Sequence, residues 1–271
     1  MTDRTRAEDE TVNIHPSAVI EAGAVIAPDC RVGPFCHIGP NVVLKAGVDL
    51  KSHVVIAGQT TIGQDTTIFP FSVIGEIPQD KKFSGEETKL VIGDRNRIRE
   101  HVTMNPGTEG GGGVTRIEHD NLFMAGCHVA HDVMIANRVI LVNHVAVAGH
   151  CIIEDDVIVG GLSGVHQFVR IGRGSIIGAL TMVTNDVIPY GLVQAPRGKL
   201  EGLNLVGLKR RGVPRGDITA LRAAFQALAQ GEGPFMERAR KLGTETDSDY
   251  VRQIVDFVLA DSDRSFLTPG G

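Results

Sequence analysis

An apolar residue, nearly always aliphatic, recurs at every sixth position along most of the chain, and few folds can satisfy such a pattern. From Ile14 the series runs through Ile20, Ile26, Val32, Ile38, Leu44, Leu50, Ile56, Ile62 and Ile68 to Ile74. It resumes at Ile92, Ile98 and Met104, then runs unbroken from Ile117 through Phe123, Val129, Ile135, Leu141, Val147, Ile153, Val159, Val165, Ile171 and Ile177 to Val183. Four positions after each lies a small or β-branched residue, as at Ala18, Val42, Val133 and Val157. Hexads of this kind predict a parallel β-helix. Three of them close one triangular turn, so residues eighteen apart stack at the β spacing of about 4.8 Å. Glycine often follows the aliphatic directly (Gly33, Gly63, Gly93, Gly160), where a tight corner would want it.

Composition agrees with many short strands. The 271 residues include 33 Gly, no Trp and two Tyr, so the core must come from Ile, Val, Leu and Ala. Cys30, Cys36, Cys127 and Cys151 all fall on the small inner position of the hexad, which predicts buried, inert thiols. A net charge of -5 excludes a broadly basic nucleic-acid binder. The polar start MTDRTRAEDETVN lacks a signal peptide's apolar run, and no apolar stretch is long enough to span a membrane. A cytoplasmic protein is expected.

Two stretches leave the lattice, at 75–91 (GEIPQDKKFSGEETK and the two residues after it) and at 105–116 (NPGTEGGGGVTR). Loops thrown out from a rigid coil are where function concentrates. The second contains Gly110–Gly113 without the GK[ST] of a phosphate loop and without a following helix, and is expected to be a flexible flap. Beyond about Tyr190 the hexad fails. Helical spacing appears at 218–230, with Pro214 and Asp217 as start signals, and again at 233–242 and 248–262. The expected organisation is a β-helix over 1–190 and a small α-helical domain over 191–271.

The lattice sorts the histidines of HVAHDVMIANRVILVNHVAVAGH (128–150). Gly149 lies eighteen after His131 and Gln167 eighteen after Gly149, so His131, Gly149, His150, His166 and Gln167 share one edge of three successive turns. His128 sits on the same turn as His131, whereas His144 belongs to a different face. Three histidines can bind zinc, but these are spread over three turns, and no metal site is expected. An imidazole on such an edge suits a general base taking a proton from a hydroxyl as it attacks a carbonyl. Asp132 or a backbone carbonyl would orient His131, and the Gly149 N–H would stabilise the developing oxyanion.

The motifs IGEIPQDKKF (74–83), IGDRNRIRE (92–100), HVAHD (128–132), GGLSGVHQF (160–168) and GLNLVGLKRRG (202–212) together resemble the acyl-carrier-protein–UDP-N-acetylglucosamine O-acyltransferases, a hexapeptide-repeat family. The resemblance covers nearly the whole chain. It implies a left-handed coil and transfer of a 3-hydroxyacyl group from acyl carrier protein to the 3-hydroxyl of UDP-N-acetylglucosamine, the first step of lipid A synthesis. It further implies His131 as base and Gly149 as oxyanion contact, with Gln79, Asp80, Lys82, His128 and His150 near the sugar and phosphates. His166, Gln167, Asn204, Arg210 and Arg211 would contact the nucleotide or the pantetheine arm. Ala179 would stand at the acyl groove. No cofactor is implied beyond the donor's own phosphopantetheine, and the active sites would lie between subunits of a homotrimer. The stretch APRGKLEG (195–202) departs from the family's Gly-Asn-His-containing segment, so contacts there are not carried over.

Between 195 and 222 seven positive residues (Arg197, Lys199, Lys209, Arg210, Arg211, Arg215, Arg222) face two negative ones, Glu201 and Asp217. Such a patch suits an acidic partner or phosphates. Two other readings compete: a related N-acyltransferase acting on an amino-sugar nucleotide, and a zinc-dependent hydratase like the γ-class carbonic anhydrases.

Overall fold

The computed structural model describes residues 14–196 and 198–268. The polar start at 1–13 and Arg197 of the basic segment therefore lie outside the described residues. Short strands, mostly two residues long, stack into three sheets of nine, eight and ten strands, and the coil strands pair in parallel. This is the expected left-handed parallel β-helix. One column reads Val129, Val147, Val165, Val183, each eighteen residues after the last. From Val32 to Val183 every hexad residue of the series is buried, at most 3% exposed. Ile14 is 38% exposed, because among the described residues the first turn has a neighbour on one side only.

Both interruptions are insertions that leave the coil's register intact. Val73 pairs with Thr103, thirty positions on, and Thr103 pairs with His128, twenty-five on. The inner side chains beyond each loop resume the same columns.

The glycine reading needs correction. Corner residues three positions after the aliphatic carry the left-handed backbone, and most are not glycine: Phe35, Asp65, Asp132, His144, His150 and Phe168 all have φ between 53° and 65°. The glycines next to the aliphatics serve close approach instead. A Cβ at Gly63 would meet the backbone of Gly93 at 2.4 Å, and one at Gly160 the nitrogen of Ala179 at 2.5 Å. Left-handed φ at an L-residue costs about 1–2 kcal/mol, which the stacking of whole turns imposes on each corner.

After the last hexad the chain does not turn helical at once. Gly191–Gln194 stacks in parallel on Ile176–Ile177, and Lys199–Leu203 folds back on it antiparallel. Gly191–Gln194 and Lys199–Leu203 are therefore strand rather than helix. Helix α1 (Leu205–Arg210) follows, then α2 (Arg215–Gln230), α3 (Phe235–Glu245) and α4 (Asp249–Leu259). The last three match the expected helices, and Asp217 lies in the first turn of α2. Helix α2 buries Ile218, Leu221, Ala224 and Leu228, the stripe that a three-and-four spacing produces. No helix among the described residues is long and apolar enough to cross a membrane. All four cysteines are buried and free, and burial pushes the thiols of Cys127 and Cys151 up to about 11 and about 12.

Candidate active site

The strand His128–Val129 ends at a coil corner, and that corner turns through Asp132 at φ 59°. Its geometry aims the Asp132 carboxylate at the preceding residue: His131 Nδ1 lies 2.8 Å from Asp132 Oδ2. An ionised carboxylate only accepts, so Nδ1 carries the ring proton and Nε2 keeps its lone pair. Both side chains are nearly out of solvent, His131 at 8% and Asp132 at 1% exposure.

The glycine-rich loop is a fitted clasp, not the free flap expected. Thr108 N donates to Asp132 Oδ1 at 2.8 Å, and Thr108 Oγ1 donates to Oδ2 at 2.6 Å. A Cβ at Gly111 would sit 2.0 Å from the Asp132 carboxyl carbon, so only glycine lets the loop close over it. One 3₁₀ turn, Glu109–Gly111, makes that closure. Asp132 is thus held by three donors and its corner amide donates to Thr115 Oγ1 at 2.7 Å.

One turn along the coil, Gly149 lies under the imidazole. A Cβ there would come within 2.5 Å of His131 Cε1 and 2.8 Å of Nε2. The Gly149 N–H has no acceptor among the described residues. His150 stands beside His131 with ring centroids 5.0 Å apart, its Nδ1 3.8 Å from Asp132 Oδ2, and stacks on Phe168 at 4.4 Å. Burial holds His150 below the ordinary histidine range, opposed by the nearby Asp132 carboxylate. Asp80 and Lys82 of the first loop add smaller, opposing effects on His150, and Gln79 of the same loop lines the groove on this face. Asp80 Oδ1 meanwhile accepts from Lys82 N at 3.0 Å. His128 Nδ1 contacts Thr103 Oγ1 at 2.8 Å, and burial, then His131, lower its pKa.

A groove of about 300 Å³ runs along this face. Gln79, Asn105, His128 and His131 line one part of it, and Gly149, His166 and Gln167 another. Its floor follows a column of the sheet: His128, Ala146, Gly164, Met182. Ala146 and Gly164 leave room, and the Met182 sulfur lies 3.7 Å from where a Gly164 Cβ would be. Ala179, expected at the acyl groove, is exposed at the corner entering the Met182 strand, whereas His131 follows its own strand. Met182 and not Ala179 lines the groove within this chain.

Three further expectations fall elsewhere. Asn204 is buried with its amide already committed: Nδ2 donates to Gly174 O at 2.9 Å and Oδ1 caps α1 through Gly207 N at 2.9 Å. It is a structural anchor here. Arg210 is exposed outside the groove, and Arg211 lines a separate pocket of about 290 Å³ with Arg138, Asp156 and Tyr190. That pocket sits at the Gly174 corner of the coil, a different edge from His131. The residue-level reading missed Thr108, Asn105, Phe168 and Met182. Phe168 and Met182 were legible, since Phe168 lies eighteen after His150 and Met182 three turns of eighteen after His128. Thr108 and Asn105 become visible only once the loops are folded.

Asn105 is 4% exposed, and its Nδ2 donates to Glu76 O at 2.9 Å and Ile77 O at 3.1 Å. That fixes its orientation; Oδ1 is itself buried without a hydrogen-bond partner among the described residues, and Asn105 contributes to the groove lining. His131, Asp132 and His150 also place ligand atoms within 4.8 Å of one another, but the Asp132 oxygens already hold their three donors.

Residues 186–267 match the family model described as UDP-N-acetylglucosamine O-acyltransferase, domain 2, and residues 11–46 match the bacterial transferase hexapeptide (six repeats) model. An acyl-[acyl-carrier-protein]–UDP-N-acetylglucosamine O-acyltransferase of Paracoccus denitrificans is 68% identical over 202 residues, 74% of this chain and 77% of the relative. Its namesake from Nautilia profundicola is 46% identical over 71% of this chain and 74% of the relative. The solved structure of LpxA from Acinetobacter baumannii superposes with a TM-score of 0.91 at 39% identity, covering 94% of this chain and 99% of that one. At such identity over most of the length, the chain belongs to the acyl-[acyl-carrier-protein]–UDP-N-acetylglucosamine O-acyltransferase family.

Proposed function

We propose that the protein transfers an (R)-3-hydroxyacyl group from acyl carrier protein to the 3-hydroxyl of UDP-N-acetylglucosamine, in the cytoplasm, as the first step of lipid A biosynthesis. The observation that carries the mechanism is the His131–Asp132 contact, which leaves a basic Nε2 above Gly149. In this reading His131 Nε2 takes the proton of the sugar hydroxyl as its oxygen attacks the thioester carbonyl. The Gly149 N–H receives the oxyanion of the tetrahedral intermediate. Collapse breaks the carbon–sulfur bond, and the imidazolium returns its proton to the departing pantetheine thiolate. The apolar column Ala146, Gly164, Met182 suits the acyl chain. Gln79 and His128, which line the groove, suit the hydroxyl and amide donors of the sugar. No cofactor enters beyond the donor's phosphopantetheine.

The separation of Arg211 from His131 supports a homotrimeric arrangement in which Arg210 and Arg211 of one subunit complete the groove of the next. The basic patch then faces nucleotide phosphates and the acidic carrier protein. The coil over 1–190 and the C-terminal region over 191–271 form two domains in this reading. The relatives' names favour O-acylation over an amino-sugar N-acyltransferase or a zinc hydratase. The test is acyl transfer from defined 3-hydroxyacyl carrier proteins to UDP-N-acetylglucosamine. His131→Ala should lower kcat by about 10²–10⁴, the usual worth of a positioned base. A wild type without transfer, or a variant at full rate, would contradict the reading.

A further inference from the structure

The segment after α4 returns to the coil and reaches the groove. Asp186 N donates to Ser265 O at 2.9 Å, Leu267 N donates to Asp186 O at 2.8 Å, and Asp186 and Phe266 form a parallel bridge. The buried Asp186 carboxylate accepts from Arg170 N at 2.8 Å, Arg170 Nε at 2.7 Å and Ser262 Oγ at 2.6 Å. The Arg170 guanidinium lies 4.6 Å from the Phe257 ring centre and 5.7 Å from that of Phe266. Ser262 Oγ in turn accepts from Arg264 N at 3.1 Å. This latch fixes the backbone from which the Arg264 side chain extends.

Arg264 Nη2 lies 2.8 Å from His166 Nδ1, and Arg264 Nε donates to Gln167 O at 3.1 Å. His166 Nδ1 also lies 3.3 Å from Gln167 O, but the 2.8 Å contact with Arg264 is the shorter one, and a guanidinium has donors only, so Nδ1 accepts and the ring proton sits on Nε2. His166 and Gln167 both line the groove. The Nε2–H is then the ring's one donor for a groove occupant, and both it and the Gln167 peptide are held by one side chain.

We propose that Arg264 is a positioning residue, acting through His166: it fixes the ring's orientation and tautomer so that a hydrogen-bond donor stands ready at the substrate groove. This rests on the acyl-transfer reading above. It also gives the C-terminal segment a part in the reaction, since the helical region delivers Arg264 to the coil.

A double-mutant cycle decides the matter, because residues that act through one another are not additive. Arg264→Ala should lower kcat/KM about ten-fold in the wild-type background and less than two-fold in a His166→Ala background. Arg264→Lys keeps the charge without the two-armed donor geometry, so it should fall between. The lysine variant also serves in the cycle if the alanine protein folds poorly. Losses that multiply in full across the two backgrounds would overturn the proposal. An activity-independent readout is the ¹⁵N spectrum of labelled histidine. His166 should report the Nε2–H form in the wild type and a mixed tautomer in Arg264→Ala, and an unchanged spectrum would also overturn it. Absence of transfer by the wild type would overturn the reaction assignment alone, leaving the nitrogen spectrum to judge Arg264.

Discussion

At His131 the competence of the imidazole depends on a residue one position away and on a loop more than twenty positions upstream. Asp132 fixes the tautomer, and Thr108 fixes Asp132 with two hydrogen bonds. Asp132→Asn keeps the shape but can present an N–H where His131 needs an acceptor, which would turn the ring's lone pair the wrong way. Its kcat should drop by about 10³ or more, as in other histidine–carboxylate pairs, with little change in KM. Steady-state kinetics would show this, and an unchanged kcat would mean that the pairing is incidental. His128 gives a second residue-scale expectation. Burial holds its folded pKa below the ordinary histidine value of 6.5. The unfolded chain therefore binds more protons in the window just below 6.5, so this contribution to stability is complete above 6.5 and is lost as pH falls through the folded value. Urea midpoints from about pH 5 to about pH 7.5 should rise with pH, and His128→Gln should flatten that slope.

The two-residue strand is the element on which the groove is built, and its columns convert sequence spacing into geometry. His128, Ala146, Gly164 and Met182 occupy equivalent places on four successive turns. The small pair opens the floor and the methionine closes it. Met182→Ala should free about one coil turn of floor, roughly 4.8 Å or about four methylenes, and shift the preferred donor toward longer acyl chains. Competition among 3-hydroxyacyl carrier proteins of graded length measures this, and an unchanged preference would place the end of the acyl groove elsewhere. The columns were legible because the hexad gives both the turn length and the inward side. The antiparallel pair Gly191–Gln194 and Lys199–Leu203 was not, because these strands carry no hexad: the first owes its state to pairing with Ile176–Ile177, the second to pairing with the first. The loops were recognisable as interruptions, but Thr108 and Asn105 owe their roles to partners at Asp132 and Glu76, contacts that local pattern does not encode.

Across the whole molecule, the candidate site residues lie on different edges of one prism. His131 and its clasp occupy the Asp132–His150–Phe168 corner, and Arg211 the pocket beside Gly174. If neighbouring subunits supply the two halves, His131→Ala and Arg211→Ala proteins should each be poorly active alone yet regain part of the wild-type rate when co-expressed as mixed oligomers. Activity of purified mixed species tests it, and a rate no better than the mean of the two variants would count against a shared site. The six-residue period by itself determined the coil, its inward columns, the buried cysteines and the edge shared by His131, Gly149 and Gln167, because a repeat of fixed length leaves one way to stack. Only the tertiary structure decided which histidine carries a free lone pair, which loop seats Asp132 and where Arg264 arrives. Those outcomes depend on contacts between segments far apart in the chain, where no period constrains the approach.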